Sequence, residues 1–141
     1  MDNEPTNNLV GDNMEYQWIG CIDHLIELVT SVVFDGKDTK VLMNKIRRVV
    51  QHFSSSNQAA YRLKALQTLH YPNKTPLQLI QDVITRWWST YSMCDRLYEL
   101  KETLIFMVRS GELENAFDFT EMEWLEIYEI VEILKLFMKL Q

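Results

Sequence analysis

Apolar residues recur every three to four positions along most of the chain, which is the spacing of helices that bury one face. The pattern predicts helices over residues 15–34, 38–53, 58–69 and 85–109, and a last helix that follows Thr120 and runs nearly to the end. We therefore expect an all-α fold of about five helices, with at most a vestigial strand.

Residues that favour turns and caps separate the predicted helices. The breaks are Asp35-Gly36, Ser54–Asn57, Tyr71–Pro76 and Ser110-Gly111. Thr120 and Glu123 have the spacing of a capping box, in which each side chain bonds the other residue's backbone N–H. Residues 77–84 are apolar but too few for the period to distinguish strand from helix, and we expect an irregular or strand-like entry there.

Length and composition indicate one domain. The chain has 141 residues, of which 47% are hydrophobic, enough for one core but not comfortably for two. We expect residues 1–14 to be a flexible N-terminal segment that can include a remnant of a core strand, and residues 15–141 to form a truncated helical domain. No apolar run is long enough for a membrane span, and the start does not resemble a secretion signal. The two cysteines, Cys21 and Cys94, are expected to be free thiols.

Charge is divided along the chain. Residues 1–34 contain six acids and no Lys or Arg, residues 35–101 contain eleven bases and five acids, and residues 102–141 contain three bases and nine acids. The net charge of −6 argues against a general nucleic-acid coat protein, but the basic middle segment can still form a local patch that meets phosphate.

The most specific motif lies at residues 82–100, which read D-V-I-T-R-W-W-S-T-Y-S-M-C-D-R-L-Y-E-L. This stretch resembles the D-V-x-T-R-W-N-S-T-Y-x-M-x-x-R-L-x-E-L motif of hAT-superfamily DNA transposases and their domesticated descendants. Residues 18–29 are similar to the family's C-x-x-H-x-L-x-L-V helix, and residues 45–56 to its K-I-R-x-x-V-x-x-F-x-x-S helix. Glu123-Trp124 with 133–137 looks like its E-W … L-x-P-F, with Leu136 in place of the proline.

The resemblance implies a fragment of a larger catalytic protein. In that family a ribonuclease H-like core carries Asp, Asp and Glu, and a helical insertion domain separates the second Asp from the Glu. Val10–Met14 looks like the family's V-T-D-N-A-x-N-M, which makes Asp12 the second catalytic carboxylate. A complete core would cleave and join DNA with two Mg²⁺ or Mn²⁺ ions. Since no stretch resembles the first Asp or the Glu helix, we expect that this chain needs no cofactor and is not a nuclease on its own.

The resemblance also suggests which residues meet DNA. Arg86 and Trp87 would contact the transposon end, the guanidinium near phosphate and the indole stacked on an unstacked base, whereas the alternative is that Trp87, Trp88 and Tyr91 pack a core. The family commonly has Asn at position 88, so Trp88 is either a core plug or a sign of relaxed constraint.

Two further groups have a structural and a functional interpretation. The bases Lys45, Arg47 and Arg48 either position DNA through its phosphates or form a solvated helix face. Cys21 and His24 share a helix face but lack the second pair that a zinc site needs, and the family suggests that they support the active-site side of the core.

Two function classes remain open. The first is part of a hAT-type transposase or a domesticated derivative that binds DNA ends next to the rest of the core. The second is a non-catalytic helical module that binds a protein partner or another copy through apolar helix faces such as Leu25, Leu28 and Val32. The resemblance implies a nuclear protein that is related to BED-type zinc-finger proteins of transposable elements. From the lack of a long apolar run we expect no membrane partner.

Overall fold

The computed structural model of this protein describes residues 35–139. Within that range the chain forms five α-helices and one short 3-10 helix, and no β-strand. The α-helices are α1 (Lys37–Ser55), α2 (Asn57–His70), α3 (Trp87–Glu99), α4 (Lys101–Arg109) and α5 (Glu121–Lys139), and the 3-10 helix spans Asn115–Phe117. The all-α prediction is confirmed over these residues, while the helix predicted at 15–34 lies outside them.

The first two helices follow the predicted boundaries closely. The apolar face of α1 lies in the core, with buried residues Leu42, Met43, Ile46, Val49, Val50 and Phe53. Ser56 alone separates α1 from α2, and its hydroxyl accepts a hydrogen bond of 3.1 Å from the Ala59 N–H. A serine at this position satisfies one of the donors that the first turn of a helix leaves unpaired, which lets α2 begin immediately after α1 ends.

The single helix predicted over residues 85–109 is wrong, because the chain bends at Leu100. Leu100 is buried and has φ −93° and ψ 11°, outside the helical range, so α3 ends before it and α4 begins after it. Apolar residues keep the same helical spacing through the bend, so the sequence pattern does not show it. The bend follows from packing, since α3 lies along α5 whereas α4 lies along α2.

The segment between α2 and α3 has no strand, and side chains replace the pairing that a sheet would supply. The amide of the buried Gln67 donates to the Leu77 carbonyl at 2.7 Å and accepts from the Leu77 N–H at 2.8 Å. Arg96 of α3 donates to the Gln78 carbonyl at 2.8 Å. Side chains of α2 and α3 therefore bond the backbone N–H and carbonyl of Leu77 and the carbonyl of Gln78. The segment lies against these two helices without becoming a strand.

The last helix begins at the predicted capping box. The Thr120 N–H donates to Glu123 Oε1 at 2.9 Å, and the Glu123 N–H donates to Thr120 Oγ1 at 3.1 Å. Beyond this cap, Trp124, Ile127 and Leu134 are 2% exposed or less. Burial of each such side chain is worth roughly 1.5–3 kcal/mol, so this face holds α5 on the core.

Candidate nucleic-acid interface

The stretch of residues 82–88, here called the motif loop, is held at one end by the buried carboxylate of Asp82. The Asp82 side chain is 1% exposed, and Arg47 of α1 donates to it from Nη2 at 2.9 Å and from Nε at 3.1 Å. Thr90 of α3 donates its hydroxyl to Asp82 Oδ2 at 2.8 Å. Asp82 therefore joins α1, the loop and α3 through one carboxylate.

Competing effects determine the pKa of Asp82. Burial raises it, but the hydrogen bonds from Arg47 and Thr90 and the positive charge of Arg47 outweigh burial, so the pKa of Asp82 lies below its ordinary value. The group is therefore an anion at neutral pH. A buried carboxylate with this many donors is a structural anchor whose charge is already compensated.

Ser89 closes the other end of the motif loop. Its hydroxyl accepts the Val83 N–H at 2.8 Å and lies within hydrogen-bond distance of the carbonyls of Val83 and Arg86, at 3.0 and 2.6 Å. The Arg86 N–H donates to the Val83 carbonyl at 2.8 Å, which makes residues 83–86 a turn. Because both ends are bonded, the turn presents its middle residues at a defined place on the surface.

The motif loop exposes a cation and apolar side chains together. Ile84 is 74% exposed, Val83 49% and Trp88 47%, and Arg86 is also exposed. The Arg86 guanidinium carbon lies 6.0 Å from the centre of the Trp88 ring, at the outer limit of a cation–π contact. This pair combines a phosphate-binding group with a ring face available for stacking.

The two tryptophans have different environments. Trp87, which the resemblance assigns to DNA, is half-buried and packs against the hydrophobic core. Trp88 is the more exposed indole, so it is not a core plug. The sequence did not identify Trp88 as a surface residue. The predicted helix began at residue 85, whereas the observed helix begins at Trp87.

Of the three bases predicted on α1, two have carboxylate partners within the fold. Lys45 bonds Glu123 Oε1 at 2.9 Å and also donates to the Asp118 carbonyl. Arg47 pairs with Asp82, as described above. Arg48 is exposed. Lys45 and Arg47 therefore have partners within the fold and do not add unpaired positive charge to the motif loop. The sequence analysis did not predict that Asp82 and Ser89 anchor the loop.

The predicted catalytic and supporting residues Asp12, Cys21 and His24 lie outside the described residues. Among residues 35–139, no three His, Cys, Asp or Glu side chains are grouped so that they could hold a metal ion. Cys94 is free and buried, and burial raises the pKa of its thiol to about 12, which makes it unreactive.

No helix in the described range combines the length and apolar character that crossing a bilayer requires.

Comparison with known protein families gives one match. The model of the ZBED1 RNase-like helical domain matches residues 19–133, which is most of the chain. No curated protein and no solved structure matches. The match agrees with the transposase-derived origin that the motifs of residues 18–137 suggest. The chain therefore belongs to the ZBED1 RNase-like helical domain family.

Proposed function

We propose that this transposase-derived domain binds DNA ends through the motif loop, with Arg86 on phosphate and Trp88 stacked on an exposed base. The observation that carries the proposal is the Arg86–Trp88 pair, exposed on a turn that Asp82 and Ser89 hold from both sides. Stacking on an unpaired base is worth roughly 1–3 kcal/mol, and a pre-formed loop loses little entropy when it binds.

The start of α3 adds to the positive potential of this surface. Arg86 is the N-cap of α3, no side chain caps the helix there, and its first turn contains no acid. The backbone N–H groups of a helix N-terminus attract phosphate. We assign Arg48 an additional phosphate contact, because it is exposed, and give Lys45 and Arg47 a structural role, because internal carboxylates already neutralise them.

We further propose that the chain does not cleave DNA by itself and acts beside the missing parts of a ribonuclease H-like core in the nucleus. Support comes from the sequence, in which no stretch resembles the first Asp or the Glu helix of the family's catalytic core. Incubation of the chain with supercoiled and hairpin DNA in Mg²⁺ or Mn²⁺ should leave the DNA intact. Metal-dependent nicking that is lost in Asp12→Ala would contradict this part of the proposal.

Fluorescence-anisotropy titration tests DNA binding directly. The chain is titrated with hairpin-ended, single-stranded-tailed and blunt duplex DNA at several salt concentrations. We expect tighter binding to DNA with unpaired bases, and affinity that falls as salt rises. Trp88→Ala should weaken binding by on the order of 1–3 kcal/mol for DNA with unpaired bases but little for blunt duplex.

Matched variants distinguish a contact made by the motif loop from the general effect of losing an exposed charge or aromatic ring. Arg86→Ala should weaken binding to every DNA and reduce its salt dependence, whereas Arg109→Ala, at the exposed end of α4, should not. Tyr61→Ala removes a 70% exposed aromatic ring elsewhere and is the control for Trp88→Ala. If Trp87→Ala weakens binding without loss of stability while Trp88→Ala does not, the stacking residue is Trp87.

A second function remains, because the motif loop also exposes Val83 and Ile84. An apolar surface of this kind suits a protein partner as well as a base. If the folded chain fails to bind any DNA at low salt, DNA-end binding is wrong and the domain is a helical interaction module of transposase descent.

A further inference from the structure

A surface recess lies beside the bend at Leu100, where the first two turns of α5 pass it. The recess has a volume of about 310 Å³, at the small end of the range for ligand-binding sites. Its lining residues are Tyr98, Lys101, Glu121, Trp124, Leu125 and Tyr128. None of them belongs to the motif loop or anchors it, so the proposed DNA contacts leave this site, here called the aromatic recess, without a role.

Aromatic side chains form the walls of the recess. Trp124 is 2% exposed, and the centre of the Tyr98 ring lies 6.3 Å from that of Trp124 and 5.5 Å from that of Tyr128. Rings in mutual contact hold one another in place, which gives a bound group a fixed apolar surface. The Trp124 indole N–H is buried and has no acceptor among the described residues, so this wall residue keeps an unused hydrogen-bond donor.

One side of the recess carries a cation without a counterion. Lys101 Nζ lies 5.8 Å from the Tyr98 ring centre and 5.7 Å from that of Trp124. The ion pairs formed within residues 35–139 do not include Lys101. The two rings therefore position the ammonium group by cation–π contact and leave its charge available to an anion.

A carboxylate without a cation partner lines the same recess. Glu121 is exposed in the first turn of α5, and within the described part of the chain it pairs with neither Lys101 nor any other base. The helix dipole stabilises a negative charge in the first turn, so Glu121 is favoured there without a side-chain partner. The aromatic recess thus presents one positive and one negative group that do not form an ion pair with each other.

These features are complementary to a ligand with three groups. An apolar group fits the aromatic walls, an acid fits Lys101 and a base fits Glu121. Leu125 and Tyr128 are 49% and 43% exposed, so the apolar surface continues from the recess onto the outside of α5, where a ligand longer than one amino acid reaches it. A peptide supplies all three groups, because side chains at alternate positions of an extended peptide point the same way.

We propose that the aromatic recess binds a peptide segment of a partner protein in which a large apolar side chain lies between an acid and a base. The apolar side chain enters the recess, the acid pairs with Lys101 and the base pairs with Glu121. This interaction is independent of DNA binding, because the two surfaces share no residue, and either proposal can fail without the other.

NMR titration of the full chain, labelled with ¹⁵N, tests the proposal with short peptides. The probes carry an acid, a phenylalanine and a base at alternate positions, in both orders of acid and base. We expect saturable movement of the Trp124 indole N–H resonance and no movement of the Trp88 resonance, which reports on the motif loop. The proposal is overturned if Trp124 does not respond at millimolar peptide, or responds equally when alanine replaces the phenylalanine.

Charge variants test the two ion pairs. Lys101→Met keeps the apolar stem and should weaken binding of the charged peptide by on the order of fivefold. It should have no effect on a peptide whose acid is replaced by glutamine, which distinguishes loss of the contact from loss of the fold. Glu121→Gln should act in the same way toward the base. The matched controls are Lys135→Met and Glu129→Gln, which change exposed charges of α5 outside the recess and should leave binding unchanged.

The same titrations define the results that contradict the proposal. If Lys101→Met weakens the glutamine peptide as much as the charged peptide, or Lys135→Met weakens binding as much as Lys101→Met, the assigned ion pair is wrong. If free phenylalanine saturates the recess with the affinity of the peptide, the site takes a single amino acid and the assignment to a partner protein is wrong.

Discussion

The motif loop and the outer face of α5, which carries Met122, Leu125 and Leu136, both present apolar side chains to solvent, but different forces hold them in place. The loop depends on partners far along the chain, since Arg47 reaches Asp82 across 35 residues of sequence. The outer face of α5 depends on a regular helix whose start is fixed by Thr120 and Glu123, three residues apart. The comparison teaches that the proposed DNA surface is a product of tertiary structure, whereas the outer face of α5 follows from local sequence.

The largest expected effect is the loss of the loop's anchor. Asp82→Ala leaves the Arg47 guanidinium partly buried without its counterion, and removal of one partner of a buried pair is strongly destabilising. We expect a loss of about 3 kcal/mol in the free energy of unfolding, measured by urea denaturation. Asp95→Ala, an exposed aspartate on α3, is the control and should change it by less than about 0.5 kcal/mol.

Acid should act on the same anchor. Because the pKa of Asp82 is lower in the folded chain than its ordinary value of 3.8, the anion stabilises the fold above that value, and this contribution is lost as the pH falls through the folded-state pKa. The free energy of unfolding, measured from pH 7 down to strong acid, should therefore decline less steeply at the acid end in Asp82→Asn than in the unchanged chain. Parallel curves for the two proteins would show that Asp82 has no such role.

The next largest effect is a difference in stability between alanine variants of the two tryptophans in the motif loop. Trp87→Ala removes a half-buried ring from the core and should cost about 2 kcal/mol, less than the cost of a fully buried tryptophan. Trp88→Ala removes an exposed ring and should cost less than about 0.5 kcal/mol. Thermal or urea unfolding of both variants gives the comparison, and equal losses would contradict the observed placement of the two rings.

A smaller effect is expected at the start of α5. Thr120→Ala removes the hydroxyl that accepts the Glu123 N–H, and loss of such a cap costs about 1 kcal/mol. Thr120→Ser keeps the acceptor and should retain most of the stability. Helix content by circular dichroism and the urea midpoint provide the readout, and a serine variant as weak as the alanine variant would argue against capping.

The smallest change in stability is expected on the outer face of α5. Leu136 is 63% exposed, so Leu136→Asp should alter the free energy of unfolding by less than about 0.5 kcal/mol, measured by urea denaturation. A large loss of stability would instead mean that Leu136 packs within its own chain.

Much of the helical architecture was predictable, because helix caps and apolar spacing act over three to seven residues. Ser56 and Thr120 are caps in the structure as the sequence pattern indicates, and α1, α2 and α5 begin and end within a few residues of the predicted positions. The bend at Leu100 was not predictable from the same pattern, since Leu97, Leu100 and Leu104 keep helical spacing through it. What distinguishes the two halves of the predicted helix is their packing, since α3 packs against α5 and α4 packs against α2.

The candidate site was predictable in part. Resemblance drew attention to Arg86 and to the motif around it, and the structure exposes that residue. The anchoring pair Arg47–Asp82 was missed, because a basic residue on an amphipathic helix has the same sequence pattern whether its charge meets solvent, phosphate or a buried carboxylate. The choice among these depends on which groups the fold brings within about 3 Å, and no spacing along one helix contains that information.

The sequence by itself determined most of the helices, their caps, the division of charge and the buried apolar face of α5, because all of these depend on neighbours within one or two turns. Tertiary structure decided that Trp87 lies half in the core and Trp88 outside, that Lys45 and Arg47 are neutralised by Glu123 and Asp82, and that the chain bends at Leu100. The reason is physical: a buried charge must find its partner and a helix must find its neighbour across the fold, and these contacts join residues far apart in the chain.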